Sequence, residues 1–215
     1  MPVISQWATP WHGLEAVLNI WNVCLGIAVF FLARVLAILY FMNNIDDESI
    51  RSQSWNRLLP ESIAFLLFFL AFLAHWLIAD GFAVKPDTQE IFMQSYKYAL
   101  NLLQMPYVTG ILLVGVILVL WGIGKTYLNP SYREGIWFSG TGTVLTVLAL
   151  LLCAGWNHTA YYPSITDLQS SLTLQNSCSS PFTLKVMSYV SILIPFVLAY
   201  IFYAWRAIDL KPGKK

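Results

Sequence analysis

LNIWNVCLGIAVFFLARVLAILYFM, residues 18–42, carries a single charged side chain, Arg34, in an otherwise nearly unbroken apolar run. About 20 helical residues cross a hydrocarbon core of ~30 Å. Backbone inside that core must satisfy its own hydrogen bonds, so such a run is a helix rather than a loop or an open strand. Four more runs of the same kind follow: Ser62–Ile78, Pro106–Gly124, Ile136–Trp156 and Leu184–Trp205. The chain therefore reads as an all-α polytopic membrane protein with five transmembrane helices. Residues 1–215 read as a single membrane domain, without linker, low-complexity tract or clear internal repeat.

Composition agrees. The 215 residues are 58% hydrophobic and only 11% charged. Nine Trp are many for this length, and Trp favours the membrane–water boundary. Trp7, Trp11, Trp21, Trp55, Trp121, Trp137, Trp156 and Trp205 all fall near the end of a run. A net charge of +1 offers no basic patch for nucleic acid. The segment before Leu18 has neither the basic nor the apolar region of a signal peptide. Cys24, Cys153 and Cys178 have no metal or redox spacing and read as buried or unpaired thiols.

Lys and Arg are unequally divided between alternate connections. Arg51, Arg57, Lys125, Arg133, Arg206, Lys211, Lys214 and Lys215 fall on one side, and only Lys85, Lys97 and Lys185 on the other. The positive-inside bias then puts the N-terminus outside and the C-terminus in the cytoplasm.

Between the runs, Pro2, Pro10 and Gly13 mark an irregular entry, and Asn43–Asn44 a stop. Ile45–Pro60 reads as a polar connection. Asp87 and Glu90 have capping-box spacing. Ile91, Met93, Tyr96, Leu100 and Leu103 then recur at helical spacing, which predicts an amphipathic surface helix ending at Pro106. Asn129–Pro130–Ser131 is a turn signal. Asn157–Pro181 is a polar connection whose Asn157–His158–Thr159 fits the short glycosylation pattern. Pro195 predicts a local kink in the last span.

Two residues stand out as candidates for chemistry. A charge at mid-helix costs ~2.5–3.5 kcal/mol on insertion scales, so Arg34 needs a reason. Either it snorkels to the nearer interface or it meets a buried partner, with Glu61 of the second span or another subunit in reach. His75 lies one turn before the end of the second run. It reads as a boundary histidine first and as a haem ligand or proton relay second. His12 and His158 are loop residues without partners at ligand spacing. Gly140–Thr141–Gly142 lacks the strand and Lys of a phosphate loop. With Gly110, Gly115, Gly122 and Gly124 it reads as close helix packing.

The C-terminal stretch adds a resemblance. Tyr162-Pro163-Ser164, Ser171-Leu172-Thr173, Ser179-Ser180-Pro181-Phe182-Thr183-Leu184-Lys185-Val186-Met187, then Pro195 and Tyr200, are similar to subunit II of the cytochrome bd-type quinol oxidases. Trp11-His12-Gly13-Leu14, the Asn129 turn and the small-residue fourth span resemble it too. In that family subunit II is nearly twice as long. The resemblance covers its second helix bundle plus one helix, the C-terminal part, as a fragment, split-gene product or remnant would. The Asp-Gly-Phe-Asp-type motif of the first bundle has no counterpart here.

The resemblance implies a scaffold subunit, without catalytic, cofactor or metal residues of its own, in a heterodimeric complex that oxidises quinol and reduces dioxygen to water. It also implies a haem-binding subunit I as partner, the lipid bilayer as surroundings, and the missing first half of subunit II as a further neighbour. Arg34 and His75 would then be packing or interface residues. The alternatives are a stand-alone transporter or channel, which should show paired broken helices near mid-membrane, and a haem-binding electron carrier using His75.

Overall fold

The computed structural model describes residues 10–164 and 166–209, leaving aside the side chains of Ala16 and Asp209. Pro2, Trp7, Lys211, Lys214 and Lys215 lie outside the described residues. Among the described residues, five helices are long and apolar enough to cross a membrane: α1 (Ile20–Asn44), α2 (Glu48–Ile78), α4 (Pro106–Leu128), α5 (Gly135–Gly155) and α7 (Pro181–Asp209). Between them lie strands β1 (Gly81–Val84) and β2 (Ile91–Gln94), the short α3 (Lys97–Gln104) and a single turn, α6 (Leu174–Ser177).

The chain divides after Leu174 into two units. In the first, α1 and α2 form one antiparallel hairpin and α4 and α5 another, both with extensive contact along their length. Leu39, Met42, Leu58, Phe65 and Val119 form the core nearer the α1–α2 connection. Met105, Val108, Leu112, Ala149 and Cys153 form a second core nearer α3. The second unit is dominated by α7, a continuous helix through Pro195.

Two connections differ from the sequence-based expectation. The polar connection Ile45–Pro60 is mostly helical, since Asp47 caps a helix that begins at Glu48. Its carboxylate accepts the Ile50 N–H at 2.9 Å, satisfying one of the donors that a helix start leaves open. Pro60 then sits inside α2 and withholds the N–H that would reach the Asn56 carbonyl, yet the helix continues. Local polarity suggested a loop, but here it marks a helix leaving the membrane.

The predicted surface helix after Glu90 is also shorter than expected. Ile91 and Met93 belong to β2, which pairs antiparallel with β1 in the register Gly81↔Gln94 to Val84↔Ile91. Glu90 does not cap a helix; it closes the hairpin turn through an ion pair with Lys85 at 2.7 Å. Tyr96, in the left-handed region at φ 57°, ends the strand and admits α3, which carries Leu100 and Leu103. The third and fourth connections are tied together here. Val84 N–H donates to the His158 carbonyl at 2.8 Å, and the Gln169 amide clamps the Ile91 backbone at both N–H and C=O.

The small-residue expectation divides in two. A Cβ on Gly142 would lie 2.6 Å from the Gly115 carbonyl oxygen, and one on Gly115 would lie 2.6 Å from Thr146 Oγ1. Gly122 similarly meets Ser139 and Gly135. These glycines let α4 and α5 approach backbone to backbone. Gly110, Gly124 and Gly140 meet nothing within 4 Å and play no such part.

Candidate functional site

Polar side chains inside the first unit gather at three levels. The deepest is Arg34. It lies 14 residues along α1 from Ile20, about 21 Å at helical rise. Its guanidinium forks onto Glu61 of α2: Nε donates to Oε2 at 2.8 Å and Nη2 to Oε1. Bidentate pairing of this kind is the strong form of a charge-assisted hydrogen bond. The two side chains differ in exposure, 47% for Arg34 and 8% for Glu61. The carboxylate is enclosed while part of the guanidinium faces outward, over the Phe30 ring. Of the two sequence-based readings of Arg34, the buried partner on the second span is the one realised.

At the β-hairpin end, His75 stacks flat on Trp21, ring centroids 3.9 Å apart and 6° from parallel. The imidazole thus packs α2 against the start of α1. Asp80, His12 and His158 are exposed. Among the described residues, no group of three His, Cys, Asp or Glu is placed to hold a metal ion.

The third level escaped the sequence reading. Lys97 is only 6% exposed, and its ammonium donates to the Asn157 carbonyl at 3.0 Å, just past the end of α5. A cation there also complements the negative end of the helix dipole. Burial lowers the Lys97 pKa below the ordinary lysine value and raises that of its neighbour Tyr98. Asn101, fully buried, donates to the Cys153 carbonyl at 2.9 Å and to Thr159 Oγ1 at 2.8 Å. Asn157 returns its amide to Asn101 Oδ1 and Gln104 Oε1. Both N–H groups of that amide are therefore occupied, and the Asn157–His158–Thr159 pattern is part of this network rather than a presented acceptor. Lys97, Asn101 and Asn157 are far apart in the chain, and their polarity suggested solvent, so no spacing pointed to the cluster.

The cleft between the two hairpins is apolar, lined among others by Leu25, Leu32, Phe65, Phe69, Val119 and Leu150. Thr143 and Thr146 also border it, but their hydroxyls bond the Ser139 and Gly142 carbonyls of their own helix. The polar groups thus join helix to helix and do not converge on the cleft.

Comparison with known proteins gives two findings. The profile of cytochrome bd terminal oxidase subunit II matches residues 3–208. A stretch of 133 residues is 29% identical to cytochrome bd-I ubiquinol oxidase subunit 2 of Escherichia coli strain K12, covering 56% of this chain and 34% of the relative. The subunits from E. coli O6:H1 and O157:H7 match to the same extent. The match therefore spans about a third of the length of these curated relatives.

Proposed function

The chain belongs to the cytochrome bd terminal oxidase subunit II family, and on that premise we propose that it is a scaffold subunit of a membrane complex that oxidises quinol and reduces dioxygen to water. The haems belong to a partner subunit I, and this chain corresponds to the C-terminal part of subunit II. The observation that carries the reading is the use made of its polar groups. Arg34–Glu61, Trp21–His75 and Lys97–Asn157 each tie one segment to another, and the interhelical cleft is apolar. A transporter would need the opposite arrangement, polar groups converging on a mid-membrane cavity.

The outward part of Arg34 supports a partner on the α1–α2 face, since a half-open guanidinium in hydrocarbon lacks acceptors for its remaining donors. The lysine and arginine distribution supports a cytoplasmic α1–α2 connection and an external β-hairpin. Exposed Cys178 makes that orientation testable. A membrane-impermeant maleimide added to intact spheroplasts labels Cys178, and labelling only after lysis would reverse the orientation.

The function is tested by affinity purification of the tagged chain from its own membranes. The expected result is co-purification of a haem-containing subunit and quinol-dependent oxygen consumption that is lost when this chain is deleted. A haem band in the reduced-minus-oxidised spectrum of the chain alone would overturn the scaffold reading. Solute uptake by vesicles holding only this chain would replace it with a transporter.

A further inference from the structure

Where α1 leaves the membrane, an open hollow lies between the α1–α2 connection and the α4–α5 connection. Its walls include Met42, Asp46, Glu48, Arg51, Ser52 and Trp55, closed on the far side by Pro130 and Ser131. Its depth follows from two residues. Met42 ends the first apolar run, and Trp55 stacks on Tyr127 with its indole N–H on the Tyr127 carbonyl, the amphipathic placement of a boundary tryptophan. The hollow therefore lies at the level of lipid headgroups.

Its charges are unevenly engaged. Asp46 pairs with Arg133 at 2.7 Å, leaving Glu48 as the open carboxylate of the wall. Arg51 donates from Nη2 to the Pro130 carbonyl at 2.9 Å, and its Nε is enclosed without an acceptor. A guanidinium carries five N–H donors in a fixed fork, so most of those on Arg51 are unmatched. One open anion and one under-used cation, with the Ser52 and Ser131 hydroxyls between connections, suit a ligand that carries both a phosphodiester and a hydrogen-bonding ammonium. A purely anionic group would be repelled by Glu48.

We propose that this hollow binds the headgroup of a zwitterionic phospholipid with a primary amine, phosphatidylethanolamine, its phosphate toward Arg51 and its ammonium toward Glu48. The bound headgroup bridges the two cytoplasmic connections and so couples the two hairpins at this end. The site is independent of where the haems of the complex lie.

The test is the unfolding midpoint of the purified, delipidated complex titrated with short-chain lipids, since a ligand of the folded state raises it. Short-chain phosphatidylethanolamine raises the midpoint more than the phosphatidylcholine or phosphatidylglycerol of the same chain length. The excess disappears in Glu48→Gln, a change at an exposed side chain that leaves the fold intact, and in Arg51→Gln. Equal effects of ethanolamine and choline lipids would overturn recognition of the ammonium. A larger effect of phosphatidylglycerol would overturn the zwitterion in favour of an anionic lipid. Saturation by free O-phosphoethanolamine at the same concentration would replace the lipid by a soluble solute. An undiminished excess in Glu48→Gln would place the lipid elsewhere.

Discussion

The two hairpins of the first unit solve the same packing problem by different means. In α4–α5 the backbones themselves meet, at Gly115, Gly122, Gly135 and Gly142, with Ser139 donating to the Val119 carbonyl at 3.1 Å across the contact. In α1–α2 the contact is made by side chains: the Arg34–Glu61 fork, the Phe31–Phe68 stack and the Trp21–His75 stack. Lipid tails are as apolar as leucine, so burial alone does not hold helices together in a bilayer. Close backbone packing and interhelical polar or aromatic contacts are the two remedies; α4–α5 adds one hydrogen bond to the first, and α1–α2 relies on the second. The first tolerates no added atom at its glycines, while the second tolerates size but depends on chemistry.

The largest effect is therefore expected at Gly142. Its Cβ would lie 2.6 Å from the Gly115 oxygen and 2.7 Å from the Val119 nitrogen, backbone atoms that move only if the helices part. Gly142→Leu should cost about 3 kcal/mol or more, read as a fall in the unfolding midpoint in detergent. Gly124→Leu, with nothing within 4 Å of its Cβ, should leave that midpoint nearly unchanged. Equal costs would remove the distinction between the hairpins.

Arg34→Ala comes next. It strands Glu61, which is 8% exposed on its side chain, and an enclosed carboxylate without its partner is unfavourable. Arg34 is itself 47% exposed on its side chain, so truncating it parts no backbone and the loss should be smaller than for Gly142→Leu. The exchanged pair Arg34→Glu with Glu61→Arg should recover most of it. An exchange as damaging as the single change would mean that the surroundings, not the pair, set the geometry. Below this lies Trp21→Leu, which removes the stack on His75 and should cost about 1 kcal/mol.

The two hairpins were not equally legible in the sequence. Spans are visible because 20 apolar residues have few other uses, and Glu61 was named as a partner for Arg34 because a buried charge demands one. Small residues predicted close packing in the third and fourth spans but not which of them touch. Gly122 and Gly124 are two positions apart on α4, so they point to different sides, and only contact geometry separates them. The start of α2 was misread because Asp46, Asp47 and Glu48 have the composition of a loop. Asp47 is in fact the cap that allows the helix to begin outside the bilayer. Strand β2 was misread because four residues are too few to separate a period of two from one of 3.6.

A third attachment is neither of these two, and it joins the hairpins to each other. Helix α3 touches α2 through the Trp76–Tyr98 stack and α5 through Asn101 and Lys97. Here pH is the lever, and the two neighbouring groups pull in opposite directions. Burial holds the Lys97 pKa below its ordinary 10.5, so the folded state releases that proton before the unfolded state does. In the interval between the lowered value and 10.5 the unfolded chain binds more protons, and stability rises with pH. Tyr98 is raised above its ordinary 10.0 by burial, so ionisation of the unfolded chain takes stability away as pH climbs past that value. The two slopes overlap near pH 10 and would mask each other in the native sequence. In a background that removes both neighbouring acids, Tyr98→Phe with Cys153→Ala, the midpoint should rise as pH approaches 10.5, and adding Lys97→Met should flatten the rise. A slope that survives Lys97→Met would assign it to another group and leave α3 as packing alone. A slope that vanishes makes Lys97 the charged link between the hairpins at the α3 end, as the Asp46–Arg133 pair is at the other.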